Sequence, residues 1–506
     1  MKKHRKLLLL FMGMVILTGC YQPAPNPEPW HLPTIASNES ESVPNAPTPF
    51  QAISRDPGEP ILTPTPNSPK VLPTLRTETE TYVVQPNDAL GRIAERYGVS
   101  LNSLINLNQI TNPNLLEIGQ VLTIPAQSPQ DVGPALKIIP DSELIFGPAS
   151  AGFDLEGFIQ EKGGYLSSYT EIVDEKESSG AAVLDRISRE YSVNPRLLLT
   201  VLEYKSGWVT QTNLDETTIN FPMGIVDEGR KGLYHQLAWA ANQLNHGYYF
   251  WKNDELSYFL LADGSLIIAD PTINAGTAGV QYMSGLLFGR SAWDAAVSEE
   301  GILKTYRNFF GYPFDYAIDP LVSSDIEQPV FQLPFESWAV WSFTGGPHAG
   351  WGDGSAWAAL DFAPPGGANG CNVSGDWVVA VADGPIIRSE NGEVIQDLDG
   401  DGYEQTGWTV LYMHISSWQR VEAGTYLKAG DPIGHASCEG GVSTGAHVHL
   451  ARRYNGEWIL ADGAVPFVMD GFTPISGGSE YDGELVNGDV IVTAWDRYVP
   501  QNQIQR

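Results

Sequence analysis

Four short segments between residues 345 and 449 narrow the folds open to this chain more than anything else in it. They are Gly345-Gly346-Pro347-His348, Leu360-Asp361-Phe362-Ala363, Tyr412-Met413-His414 and Ser443-Thr444-Gly445-Ala446-His447-Val448-His449. Five of the nine histidines fall between 348 and 449. In a strand alternate side chains share a face, so His447 and His449 emerge together, about 7 Å apart along the chain. One can ligate a metal while the other reaches water beside it. His348 and Asp361 add an imidazole and a carboxylate from a neighbouring strand or loop. Two histidines, one carboxylate and an open fourth position make a catalytic zinc site, provided these distant segments converge on one sheet.

These contexts, with Gly430-Asp431-Pro432-Ile433-Gly434 between them, resemble the lysostaphin/LytM-type peptidoglycan metallopeptidases over roughly residues 335–463. Twelve residues separate His348 from Asp361, far more than in most LytM-type members, and this spacing is similar to that of the β-lytic or staphylolysin subgroup. The resemblance implies His348, Asp361 and His449 as zinc ligands and His447 as general base. It implies His414 as partner to that base, stabilising the oxyanion or shuttling the proton. Neutral imidazole both ligates and accepts protons near pH 7. The implied substrate is a peptide bond in the stem or cross-bridge of peptidoglycan. His435 lies outside the motif and reads as a loop histidine.

Cys371 and Cys438 are the only cysteines after Cys20, and both fall in this exported region, so a disulfide between them is expected. Asp397-Leu398-Asp399-Gly400-Asp401-Gly402 has the first half of a calcium loop, but Trp408 stands where the bidentate Glu belongs. An acidic hairpin tip and a dispensable calcium site both stay open.

Further upstream, Tyr82-Val83-Val84 reads as a strand, and Asp88 and Ser100 as caps of two helices. Residues 119–125 read as a closing strand. With Ile93-Ala94, Asn108, Asn112-Pro113-Asn114 and Gly119-Gln120, this segment resembles a LysM domain. The resemblance implies binding of N-acetylglucosamine chains in a groove formed by Asn87, Asp88, Asn114, Leu115, Leu116 and Glu117.

Between these two regions, residues 141–330 contain amphipathic helices. Leu184, Ile187 and Tyr191 share a face. Asn194-Pro195 opens a second helix that Ser206-Gly207 stops, and Leu233, Leu237, Ala241 and Leu244 form a stripe before Gly247. Tyr191 to Trp208 resembles the start of lysozyme-like lytic transglycosylases. There the catalytic Glu precedes Ser-Gly, and here Lys205 takes its place. Lysine cannot protonate a glycosidic leaving group as a raised-pKa carboxyl does, so a holding or scaffolding role is expected. Glu203, the one alternative acid, points elsewhere on the helix.

The chain opens with Lys2, Lys3, Arg5 and Lys6, an apolar run over 7–17, and Leu17-Thr18-Gly19-Cys20. This has the form of a secretory signal and resembles the lipobox of bacterial lipoproteins, which implies lipidation of Cys20. Residues 21–80 hold 14 of the 36 prolines and read as a disordered spacer. With 60 acidic against 29 basic residues, a nucleic-acid partner is excluded.

The expected architecture is multidomain. A signal peptide (1–20) and linker (21–80) precede an α+β LysM module (81–126). A mostly α, lysozyme-like middle domain (141–330) follows, then an all-β, antiparallel metallopeptidase domain (335–480) and a C-terminal extension (481–506). The expected function is a monomeric zinc endopeptidase of peptidoglycan, lipid-anchored on the outer face of the cytoplasmic membrane. The alternatives are a non-catalytic wall-binding scaffold or amidase activator, and a glycan-strand hydrolase acting through the middle domain.

Overall fold

The computed structural model describes residues 69–71, 73–85, 88–113, 115–128, 130–365 and 370–506. Cys20, Asn87 and Asn114, expected above as lipidation and sugar-binding positions, lie outside the described residues. No helix among the described residues is long and apolar enough to cross a membrane.

The LysM region is β1 (Glu80–Val83), α1 (Leu90–Arg96), α2 (Leu101–Asn108) and β2 (Val121–Ile124). The two strands pair antiparallel with Tyr82 opposite Leu122. Leu90, Ile93, Ala94, Leu104, Leu122 and Ile124 close a small core between the strands and helices. Ser100 caps α2 by accepting from Ser103 N. Asp88 does not cap α1 as expected: its carboxylate accepts from Tyr82 Oη and Gln85 N, at 2.7 Å each, which ties the loop back to β1. Asn108 bonds both backbone groups of Thr123 and so fixes α2 to the closing strand. The end of the expected spacer lies against the folded body. Arg76 N donates to Gln127 Oε1 at 2.6 Å, and Lys70 pairs with Asp254.

The middle region is built on α3 (Gly180–Tyr191), α4 (Pro195–Ser206), α5 (Leu233–Lys252) and α6 (Ala275–Leu287). Asn194 caps α4, with Pro195 at its first turn, and Gly207 ends it in the left-handed region at φ 67°. Helix α5 runs on past Gly247 to Lys252. A Cβ at that position would stand 2.7 Å from Gly279 Cα, so the glycine serves the close crossing of α5 and α6, not a helix stop.

On the same two helices His246 stacks between Phe250 (3.9 Å, 15°) and Tyr282 (4.6 Å, 20°). Burial, then the Arg92 guanidinium, pushes its imidazole down to about 3. The unfolded chain binds a proton there below roughly pH 6.5 and the folded one does not, so stability falls as pH drops from that value towards 3. Between pH 7 and 5 the expected loss is about 2 kcal/mol. Urea unfolding at the two pH values should show this loss shrink in His246→Phe.

The C-terminal region is an antiparallel sheet. Its strands are β3 (Val340–His348), β4 (Ala359–Ala363), β5 (Gly384–Glu390), β6 (Glu393–Asp397), β7 (Trp408–Met413), β8 (Tyr426–Leu427) and β9 (Val448–Tyr454). A small sheet of β10 (Thr473–Ser476), β11 (Gly483–Asn487) and β12 (Val490–Thr493) follows, then β13 (Gln503–Gln505). The main order is β8-β5-β6-β7-β9-β4-β3-β13. The boundary expected at 480 therefore falls inside the hairpin of β10 and β11, and the extension closes the sheet edge through β13 on β3.

Period-two alternation gives this sheet two buried faces. Leu360, Phe362, Val410, Tyr412, Val448 and Leu450 fill one core. Ala359, Ile395, Leu411 and Ala451, on the opposite face, join the core of the middle helices. Polar ties reinforce that junction. Arg189 on α3 pairs with Glu404 at 3.2 Å, and Trp458 N donates to Tyr249 Oη at 3.0 Å.

Cys371 and Cys438 form a disulfide across a sequence separation of 67. Closing a loop of that size restricts the unfolded chain, so Cys371→Ser with Cys438→Ser should cost about 4 kcal/mol of unfolding free energy. Denaturant titration of the oxidised parent against the double variant measures it.

Candidate metal centre

His449 on β9 sits directly opposite Asp361 on β4, so period-two geometry alone puts both on one face. His348 reaches that face through a bulge. Gly345 pairs with Asp361, but the next partner along β4, Ala359, pairs with His348 where regular register would place Pro347. The extra residue turns His348 to the side of Asp361.

Three ligand atoms then form a near-equilateral triangle. His348 Nε2 lies 3.0 Å from His449 Nδ1, and Asp361 Oδ1 lies 3.3 Å and 3.2 Å from those two nitrogens. Tetrahedral zinc with bonds of about 2.0–2.1 Å requires ligand separations of roughly 3.3 Å. The far nitrogens are committed: His348 Nδ1 donates to Gly346 O at 2.8 Å, and His449 Nε2 to Gly350 O at 3.0 Å. A carbonyl only accepts, so both protons sit there and both facing nitrogens present lone pairs. Asp361 Oδ1 is buried with no hydrogen-bond partner. Although burial opposes its ionisation, the charge that the His348 and His447 imidazoles carry when protonated holds the carboxyl well below the usual carboxylate range. Three buried electron-pair donors aimed at one point are a donor set suited to a dication.

Two more imidazoles stand beside this set. His447 Nδ1 donates to Gly445 O at 2.8 Å, which leaves Nε2 unprotonated, 3.6 Å from Asp361 Oδ2. His414 Nδ1 donates to Glu439 O at 2.9 Å, and its ring lies 4.5 Å from that of His447. Burial, then the fields of His447 and His449, push the His414 imidazole down to about 3. His414 has φ 64°, an uncommon backbone for a residue other than glycine and one held here by its surroundings. The disulfide steadies Cys438, next to the Glu439 carbonyl that orients His414.

All five side chains line one cleft of about 1290 Å³. Its opposite wall comes from the middle region through Arg186, Glu190, Tyr191 and Tyr234. Tyr481, from the C-terminal extension, stacks on His348 with ring centroids 4.2 Å apart and planes at 23°. Burial and the Asp361 and Glu480 carboxylates push its phenol up to about 12, so it remains a hydroxyl donor at the cleft. Sequence reasoning missed Tyr481, because it stands in a glycine-rich tail with no spacing relation to the histidines.

Other positions singled out in the sequence do not join this set. His435 is packed between Trp377 and Trp418 and bonded to Asp376 O at 3.0 Å. Asp397, Asp399 and Asp401 bring carboxylate oxygens within 4.8 Å of one another, and Asp397 accepts from three loop amides. Glu203 accepts from Val209 N, Thr210 N and Thr210 Oγ1 at 2.6–3.1 Å, so it ties down the end of α4 and is not free as an acid. Of the described LysM positions, Leu115 is exposed and Asp88 is bonded to its own loop.

Residues 82–125 match the LysM domain, residues 137–322 the LasA N-terminal domain, and residues 360–460 peptidase family M23. The helical middle region, expected above to be lysozyme-like, is the segment that the LasA N-terminal domain matches. Protease LasA of Pseudomonas aeruginosa is 26% identical over 346 residues, covering 64% of this chain and 75% of that protein. The β-lytic metalloendopeptidase of Lysobacter enzymogenes is 28% identical over 155 residues, covering 30% of this chain and 83% of that protein. Among solved structures, the M23 metalloprotease pseudoalterin superposes with a TM-score of 0.29 at 23% identity, over 35% of this chain and 99% of its own. The chain thus joins a LysM domain and a segment similar to the LasA N-terminal domain to a C-terminal zinc endopeptidase domain of family M23.

Proposed function

We propose that this chain is a cell-envelope enzyme that hydrolyses peptide bonds in peptidoglycan stems or cross-bridges. In this reading Cys20 carries the lipid anchor and the LysM domain holds glycan. The observation that carries it is the set of four imidazoles and one carboxylate on a single cleft wall, each far ring nitrogen fixed on a backbone carbonyl. His348, Asp361 and His449 hold the zinc, which when bound supplies Lewis acidity that activates water for attack near neutral pH.

The remaining steps belong to the protein. His447, with Nε2 unprotonated and facing the centre, takes the proton of the attacking water and returns it to the leaving amine. His414 also presents an acceptor nitrogen, because its Nδ1 proton is held by Glu439 O. That tautomer suits proton shuttling with His447, and the imidazole donates to an oxyanion only after it has taken up a proton. Tyr481 does have a hydroxyl to donate. Glycan held at the loops of Asp88 and residues 115–117 would raise the local concentration of peptide stems at the cleft. The excess of acidic residues works against attraction to anionic wall polymers, so local binding has to supply the contact.

The full chain incubated with cross-linked muropeptides should generate new amino termini. A chelator such as EDTA should slow their appearance by at least about 100-fold, and zinc should restore it. Termini that form equally fast in chelator, or new reducing sugar ends instead, would overturn the proposal.

A further inference from the structure

The loop between His348 and Asp361 links the metal centre to the other two domains. Within it Gly350 N donates to Ala356 O at 3.0 Å and Trp351 N to Ser355 Oγ at 2.9 Å, so the loop is bonded as a unit. At one end of this unit the Gly350 carbonyl holds the Nε2 proton of His449. At its other end two outside residues grip it. Asn242, on α5 of the middle domain, donates through Nδ2 to Asp353 Oδ1 at 2.5 Å and accepts from Gly354 N at 2.9 Å. Arg92, on α1 of the LysM domain, pairs with Asp353 Oδ2.

The grip is close. A Cβ on Gly354 would stand 2.0 Å from the Asn242 carbonyl oxygen, so the loop backbone lies directly on α5. Arg92 is in turn held by the seating of its own helix. One turn along α1, Glu95 lies half-buried against the middle domain, with Tyr282 Oη 3.5 Å from its carboxyl.

We infer that Asn242 and Arg92 are positioning residues for the zinc centre. By fixing Asp353 and Gly354 they keep the Gly350 carbonyl on His449, and so keep His449 Nδ1 turned towards the ion. The inference rests on the metal reading above and extends it: a LysM domain seated on α5 and α6 contributes to metal affinity. Partners one bond out from a zinc ligand typically set affinity by about 10–100-fold, and a residue one step further out belongs at the lower end.

The test is zinc affinity of the full chain, read by competition with a chromophoric chelator, with the absorption spectrum of the cobalt-substituted protein alongside. Asn242→Ala and Arg92→Glu should each weaken zinc by about 3–10-fold and alter the cobalt bands, while Arg92→Lys, which keeps the charge, should stay within about twofold of the parent. Arg92 is partly exposed, so Arg92→Glu with Asp353→Asn decides the matter if Asn242→Ala does not fold. Equal affinity and unchanged spectra in folded variants would overturn the inference alone. A parent chain that takes up no zinc would instead remove the metal reading beneath it.

Discussion

Asp361→Asn is expected to leave the chain folded, to reduce bound zinc from one ion per chain to a small fraction of that, and to lower peptide hydrolysis by at least about 10³-fold. In the proposed centre Asp361 would supply the single anionic ligand, and its Oδ1 completes the triangle with His348 Nε2 and His449 Nδ1. The amide fits the same space but brings no charge, and its NH₂ group can turn a donor towards the ion. Metal analysis after dialysis against dilute zinc, together with the muropeptide assay, measures both effects. Retained zinc with retained cleavage would place the metal somewhere else in the molecule.

The second large effect separates ligation from proton transfer. His447→Ala should keep its zinc and lose about 10²–10⁴-fold in kcat, the range a positioned general base contributes. His447 lies 3.6 Å from Asp361 Oδ2 but makes no edge of the ligand triangle, and its Nδ1 proton is fixed on Gly445 O. Because the lost interaction acts in the transition state, kcat and kcat/KM should fall together, with KM within a few-fold. A variant that loses zinc in parallel with activity would instead make His447 a ligand.

Much of the site could be read before any coordinates. His447 and His449 two residues apart already share a side in any extended chain, and the other segments carried an imidazole and a carboxylate able to ligate a metal. The disulfide was expected from the count, two cysteines in one domain, and from the export that the start of the chain implied. Ser100 and Gly207 acted as expected, because a cap and a left-handed stop are local properties. Asp88 did not cap α1, because Tyr82 and Gln85 compete for the same carboxylate and the winner depends on how the loop folds back.

What the residues determine alone is chemistry and short-range direction: which side chains can ligate, which can accept a proton, and which alternate positions look the same way. What only the tertiary structure decides is register and neighbourhood. The bulge that turns His348 towards Asp361 depends on how β3 pairs with a strand beyond a twelve-residue loop, and no local propensity encodes that shift. The same holds for the Gly346, Gly350, Gly445 and Glu439 carbonyls that fix four imidazole tautomers, since any residue offers a carbonyl and only its place in the fold selects it. Long-range pairing is settled by the joint burial of many side chains, so it emerges from the packed molecule and not from any one stretch of chain.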